Sequence, residues 1–199
     1  MSCDILEAFA KRHSCYNINN KITITNQEIE NLINKCLDLY PSSFNSQDAR
    51  VILLMGEHHT YFWELVKKEL FRVSQNDRHT QIEEKITKFE KGYGTILFFI
   101  EPDSVLSLQN AYPEYSANFP IWARESNAML QFMIWSSLAD KGIGASLQHY
   151  NPLIDNIVKQ QFQINPNWQF IAQMPFGHVT TEVNPHKIKD ISDRLTIRP

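Results

Sequence analysis

Hydrophobic positions recur along this chain in two rhythms, and the switches between them lay out its elements. Ile5, Leu6 and Phe9 stand at helical spacing and predict a short helix over residues 2–11. Thr25 and Glu28 have the spacing of a capping box, in which the threonine hydroxyl accepts the glutamate's backbone N–H and the carboxylate accepts the threonine's. Behind it Ile29, Leu32, Ile33, Cys36, Leu37 and Tyr40 mark one helix face, and Pro41 stops the helix. The run Arg50–Met55, closed by Gly56, predicts a buried strand. Phe62, Leu65, Val66, Leu70 and Val73 return to the helical period over 58–74, and a more polar helix over about 80–91 ends at Gly92. Thr95–Ile100 is the strongest strand signal, and Pro102 opens a helix that runs to Gln109.

Residues 122–139 follow neither amphipathic rhythm. Trp122, Met129, Leu130, Phe132, Met133, Ile134, Trp135 and Leu138 leave almost no polar side, and a helix apolar all round is buried all round, in a domain centre or a subunit interface. Gly142–Leu147 reads as a loop entering a strand. A helix over 152–162, a strand over 168–174 and a strand-like Leu195-Thr196-Ile197 follow. Helices outnumber strands without alternating with them, so the fold class is α+β rather than a parallel doubly wound sheet. No repeat or Gly/Ser linker divides the sequence, and residues 1–199 read as one domain.

Composition narrows the classes of function. The net charge of −3 and scattered lysines and arginines give no electrostatic case for nucleic acid. No 18 apolar residues run together to span a membrane, and Met1–Ala10 carries Asp4 and Glu7 where a signal peptide needs an apolar run. Cys3, Cys15 and Cys36, an odd number without metal spacing, read as reduced thiols, so a cytoplasmic location is expected. Twelve Phe, seven Tyr and four Trp suit a large interface or a planar ligand.

Three polar clusters are candidates for chemistry. Arg12-His13-Ser14, just past the first helix, offers a guanidinium fork and a hydroxyl to a phosphate; the plain alternative is a helix C-terminus whose basic residues meet the last carbonyls. Pro41-Ser42-Ser43-Phe44-Asn45-Ser46-Gln47 offers hydroxyls, amides and backbone N–H groups without charge, or is an ordinary turn. Gln148-His149-Tyr150-Asn151-Pro152 sits between a strand and a helix, where helix-start amides are ready donors; Asn151 and Pro152 serve there as N-cap and first-turn proline. Other motifs fail. Gly92-x-Gly94 precedes a strand and lacks the third glycine of a dinucleotide fingerprint. His58 and His59 cannot share a helix face, and His149 has no partners for a metal. Chemistry brought by a cofactor is the expectation.

Taken together, the clusters resemble the nitroreductase family of flavoproteins, and within it the short fungal-type subgroup named after a fatty acid repression mutant protein. The resemblance rests on Lys11-Arg12-His13-Ser14, Pro41–Gln47 with Arg50, Gly92-Tyr93-Gly94-Thr95, Asn118-Phe119-Pro120-x-Trp122, Gly144–Asp155 and Gln173-Met174-Pro175-Phe176-Gly177. It implies a nitroreductase fold: a mostly antiparallel central sheet flanked by helices, in an intertwined homodimer with residues 122–139 in the dimer core. It implies FMN as cofactor, NAD(P)H as transient donor, and nitroaromatics or quinones reduced by a ping-pong hydride transfer through flavin N5. Arg12, His13 and Ser14 would meet the phosphate or ribityl chain, completed by Arg194, with Lys187 and Arg198 as competitors. Two FMN sites would lie at the interface, each built from both chains: Ser42, Ser43, Asn45 and Gln47 would come from the partner or line the same pocket, and Gln148 and His149 would border the ring near N5, chiefly through backbone atoms. Position 11 is Lys where the subgroup often has Arg, and no residue is assigned to the pyrimidine edge. A flavin-binding redox sensor or stress-response regulator with little turnover is the second reading.

Overall fold

The computed structural model describes residues 5–181, 190, 192 and 194–198. The described elements are helices α1 (Ile5–Lys11), α2 (Asn26–Leu39), α3 (Glu57–Val73), α4 (His79–Glu90), α5 (Pro102–Ala111), α6 (Phe119–Asp140) and α7 (Asp155–Gln161). The strands are β1 (Ile18–Asn19), β2 (Ala49–Met55), β3 (Gly94–Ile100), β4 (Ile143–Ala145) and β5 (Gln169–Val179). The strands form one sheet in the order β1-β5-β3-β2, with β4 also on β5, and every strand pairing is antiparallel. The class is α+β.

β3 is the axis of the molecule: all seven residues are buried, and their alternation divides the core in two. Ile96 and Phe98 face a cluster with Ile29, Ile33 and Cys36 of α2 and Leu130, Ile134 and Leu138 of α6. Leu97 and Phe99 face the other layer, with Phe62, Trp63 and Val66 of α3, Ile86 and Phe89 of α4 and Val158 of α7. The register against β5 shifts between Phe98 and Phe99. Asn127 of α6, fully buried, donates from Nδ2 to the Phe99 carbonyl at 3.0 Å, and Gln131 donates to Asn127 at 2.7 Å, so the long helix is keyed to the bulge. At the start of α2 the capping box is present: Glu28 N–H donates to Thr25 Oγ1 at 3.2 Å and Thr25 N–H to Glu28 Oε2 at 2.8 Å.

The second layer contains a buried histidine, His59, that the motif reading set aside with its neighbour. A backbone carbonyl only accepts, so His59 Nε2–H donates to the Glu90 carbonyl at 3.1 Å. Nδ1 then accepts from the Thr95 hydroxyl at 2.8 Å, and that hydroxyl accepts from Trp63 Nε1–H at 2.9 Å. Every donor and acceptor in the chain is used by the neutral ring. Burial accordingly holds the His59 pKa down at about 4.

Four elements differ from the sequence reading. β5 runs to Val179, through Pro175, rather than ending at 174. Pro175's carbonyl accepts from Ser146 N–H, so its missing N–H also falls on the β4 side, just where the β4 ladder ends. α7 begins at Asp155, capped at Ile154, so Asn151 and Pro152 are not its N-cap and first-turn residue; the bond between them is cis. Leu195 and Ile197 are exposed and form no strand. α6 buries Leu130, Ile134 and Leu138 but leaves Ile121, Met129 and Phe132 between 39% and 55% exposed, so this apolar helix has an uncovered side within one chain.

Candidate functional site

The three sequence clusters occupy two separate regions of the chain. Arg12, His13 and Ser14 follow α1, Arg12 N–H donating to the Phe9 carbonyl at 3.3 Å, and Ser14 bridges Ala145 in parallel, with Cys15 N–H donating to the Ala145 carbonyl at 2.9 Å. Lys11 anchors this exit through a 2.8 Å ion pair to Asp140 at the end of α6. The Arg12 guanidinium lies 4.4 Å from the centre of the Trp135 ring, a cation–π contact that holds it while leaving its N–H fork available for an anion. Gly144 makes the close approach possible: a Cβ there would lie 2.8 Å from that of Cys15 and run into the Val179 side chain. Cys15 itself is no activated thiol, because burial pushes its pKa up and its Sγ–H points to the His13 carbonyl.

Beyond Ala145 the chain continues extended along β5, and its amides alternate in direction. Ser146 N–H donates to Pro175, and Gln148 exchanges both backbone hydrogen bonds with Gln173 at 2.7 and 2.9 Å. The intervening residues, Ala145, Leu147 and His149, therefore turn their N–H and carbonyl groups the other way, toward the edge occupied by Ser14. Ala145 is met there by Cys15; among the described residues the Leu147 and His149 amides meet nothing. At about 3.3 Å per residue they lie roughly 7 and 13 Å past Ala145. A guanidinium and a hydroxyl at one end, followed by two outward amides along one strand edge, make a line of donors suited to an elongated anionic ligand.

This refines the roles in the third cluster. The Gln148 amide is already given to Gln173, and its side chain is buried, donating to Ser146 Oγ at 3.1 Å. The outward backbone donor is His149's, whose side chain is exposed. These donors come from an extended edge and not from a helix start, since α7 begins later.

The Pro41–Gln47 segment lies elsewhere. Ser43–Asn45 form a single 3-10 turn in which Phe44 (φ 54°) and Asn45 (φ 53°) take the left-handed conformation, followed by Gln47 (φ 48°). Three non-glycine residues there cost on the order of 1–3 kcal/mol each, so the neighbours must hold them. Gln47 N–H donates to Ser42 Oγ at 3.1 Å, and Arg50 Nη1 donates to the Gln47 carbonyl at 2.7 Å while its Nη2 pairs with Glu101 at 2.8 Å. Phe44 packs among Tyr112, Tyr115, Phe119 and Trp122 with centroids 4.7–6.3 Å apart. So braced, the turn offers Asn45 and Gln47 to solvent, with Ser42 and Ser43 half-buried beside them.

Phe44 stacks on Trp122 and Arg12 on Trp135, thirteen residues further along α6. At 1.5 Å per residue, about 20 Å of helix separates the two regions. One chain does not bring Arg12–Ser14 together with Ser42–Gln47. Arg194 and Arg198 are exposed, whereas Lys187 lies outside the described residues.

A family model for the nitroreductase family matches residues 9–178. The chain belongs to the nitroreductase family. Two relatives from Saccharomyces cerevisiae, nitroreductase FRM2 and the putative nitroreductase HBN1, are 26% and 27% identical to this family member over 174 residues, 86% of each chain. Among solved structures, nitroreductase CinD from Lactococcus lactis in complex with chloramphenicol superposes with a TM-score of 0.90 at 28% identity, covering 98% of this chain and 100% of that one. A nitroreductase from Saccharomyces cerevisiae gives 0.76 at 25% identity, covering 90% and 97%. The resemblance read from the sequence motifs, down to the fungal-type subgroup, thus agrees with the family and its yeast members, and the protein is an oxidoreductase of nitroreductase fold.

Proposed function

We infer that this protein is an FMN-dependent NAD(P)H oxidoreductase that acts as a homodimer on nitroaromatics or quinones. The observation that carries the reading is the line of groups along one strand edge: Arg12, Ser14, and then the outward amides of Leu147 and His149. Arg12 supplies a charged fork for the phosphate and Ser14 a hydroxyl, with His13 beside them and Arg194 as the late cation. The His149 amide, with Gln148 behind it, supplies the neutral donor at the ring's N5 edge. Bound FMN supplies hydride acceptance from NAD(P)H and electron delivery to a second substrate on the same face, which is ping-pong chemistry.

The polar turn at Ser42, Ser43, Asn45 and Gln47 joins this line of donors from a second copy. The midpoint between Trp122 and Trp135 falls at residues 128–129, and Ala128 and Met129 are exposed there. Two α6 helices crossing antiparallel about a two-fold axis at that point bring one chain's Phe44 turn to the other's Arg12. The same pairing covers Met129 and Phe132, and with them the apolar groove of about 720 Å³ between α1, α2 and α6, lined by Ile5, Phe9, Leu32, Leu39 and Met133. The acceptor class is supported by the Lactococcus enzyme, solved with chloramphenicol and with 4-nitrophenol. Initial rates with NADH or NADPH varied at several fixed quinone concentrations test the reading. Parallel double-reciprocal lines are expected; intersecting lines contradict ping-pong, and absence of turnover with every quinone and nitro compound contradicts the enzyme.

A further inference from the structure

One side chain holds the turn that carries the outward His149 amide. Gln173 of β5 is fully buried, and besides its two backbone bonds to Gln148 it uses both ends of its side chain. Its Oε1 accepts the Tyr150 N–H at 3.0 Å, and its Nε2 donates to Asn151 Oδ1 at 2.7 Å. Asn151 passes the constraint on, donating to Asp155 Oδ1 at 2.7 Å and to the Phe170 carbonyl at 3.2 Å. The amides on either side of His149 are thus both taken by Gln173, Gln148's by its carbonyl and Tyr150's by its side chain. An unbranched amide fits this position because it carries an acceptor and a donor on one planar head.

We propose that Gln173 is the positioning residue of the hydride-transfer site: by fixing Gln148, Tyr150 and Asn151 it sets the direction of the His149 N–H toward the ligand. The proposal rests on the flavin reading of the line of donors. The peptide plane that carries the His149 N–H ends in the Gln148 carbonyl, held by Gln173 N–H at 2.9 Å, and the next plane is held by Gln173 Oε1. The two meet at the His149 φ and ψ, so releasing Tyr150 N–H removes one of the two restraints on the His149 plane. Gln173 touches no ligand itself. Its effect therefore falls on how well the amide is aimed and not on the donor's binding.

The test uses the full-length holoprotein, its FMN-stripped form, and three variants: Gln173→Met, Asn151→Ala and Gln173→Glu. Gln173→Met removes both side-chain bonds of Gln173; Asn151→Ala removes one of them, with Asn151's own bonds to Asp155 and Phe170, and serves if the first does not fold. The FMN dissociation constant of stripped Gln173→Met is expected to rise about tenfold, the loss of roughly one net hydrogen bond. In anaerobic single turnovers, flavin reduction at saturating NAD(P)H slows by about the same factor while the donor's dissociation constant stays unchanged. A protonated Glu keeps one acceptor and one donor, so Gln173→Glu regains wild-type reduction rates, measured against wild type at each pH, as the pH falls. Variants that bind FMN and are reduced like wild type overturn the role of Gln173 and leave the flavin reading standing. A wild-type protein that binds no FMN overturns both.

Discussion

His59 is a buried base that folding keeps neutral, so the protein should lose stability in mild acid through this one ring. Its folded pKa of about 4 stands below an ordinary value of 6.5, and the unfolded chain therefore takes up a proton first as pH falls. Stability from this group is complete above about pH 6.5, declines through the window down to about 4, and changes no further below it. A gap of about two and a half pH units at about 1.36 kcal/mol each gives roughly 3 kcal/mol. The structure explains why: protonation at Nδ1 places a second donor against the Thr95 hydroxyl, which already receives the Trp63 N–H. The assay is denaturant unfolding at pH 7 and pH 4.5 of wild type and His59→Gln, at fixed protomer and FMN concentrations because both bias the folded state. Carboxylates titrate in both proteins and cancel in the difference. Wild type should lose about 2–3 kcal/mol more than the variant between the two pH values. Equal losses refute the neutral buried ring.

Three further outcomes test other parts of the structure. Thr25→Ala removes the capping box and should lower unfolding stability by about 1 kcal/mol, read from the denaturation midpoint. Gly144→Ala forces a methyl against Cys15 and Val179, so it should destabilise by about 1–3 kcal/mol and weaken FMN binding by moving the Arg12–Ser14 segment. Co-expressed Arg12→Ala and Gln47→Ala chains should form mixed dimers with one intact and one doubly defective site, binding tightly one FMN per dimer where each variant alone binds poorly. A site contained in one chain predicts no such rescue.

The sequence carried the elements better than the geometry of the site. The α2 capping box and the fully buried β3 were readable because local chemistry and apolar run agreed with the tertiary structure. β5 read short because Pro175 looks like a strand end, and only the position of its neighbour Ser146 makes the missing N–H harmless. The network around His59 has a signal in the sequence: His59, Phe62, Trp63 and Val66 share one helix face. The left-handed turn at Phe44, Asn45 and Gln47 had none, since its conformation is imposed by packing and by Arg50 and no glycine marks it. The candidate residues of all three clusters were named from sequence, but their distribution between the two ends of α6 was not. That distance is a property of the folded chain, and the proposal that a second copy completes the site rests on it. Likewise, the choice of His149 over Gln148 as outward donor depends on which residues pair with β5, a matter of register that spacing alone does not give.

The most direct measurement is the visible absorption spectrum of the purified protein during anaerobic addition of NADH or NADPH, followed by 4-nitrophenol or a quinone. A yellow protein with one FMN per chain that bleaches with the donor and recovers its colour with the acceptor is expected. A protein that stays colourless after incubation with FMN is no flavoprotein of this kind.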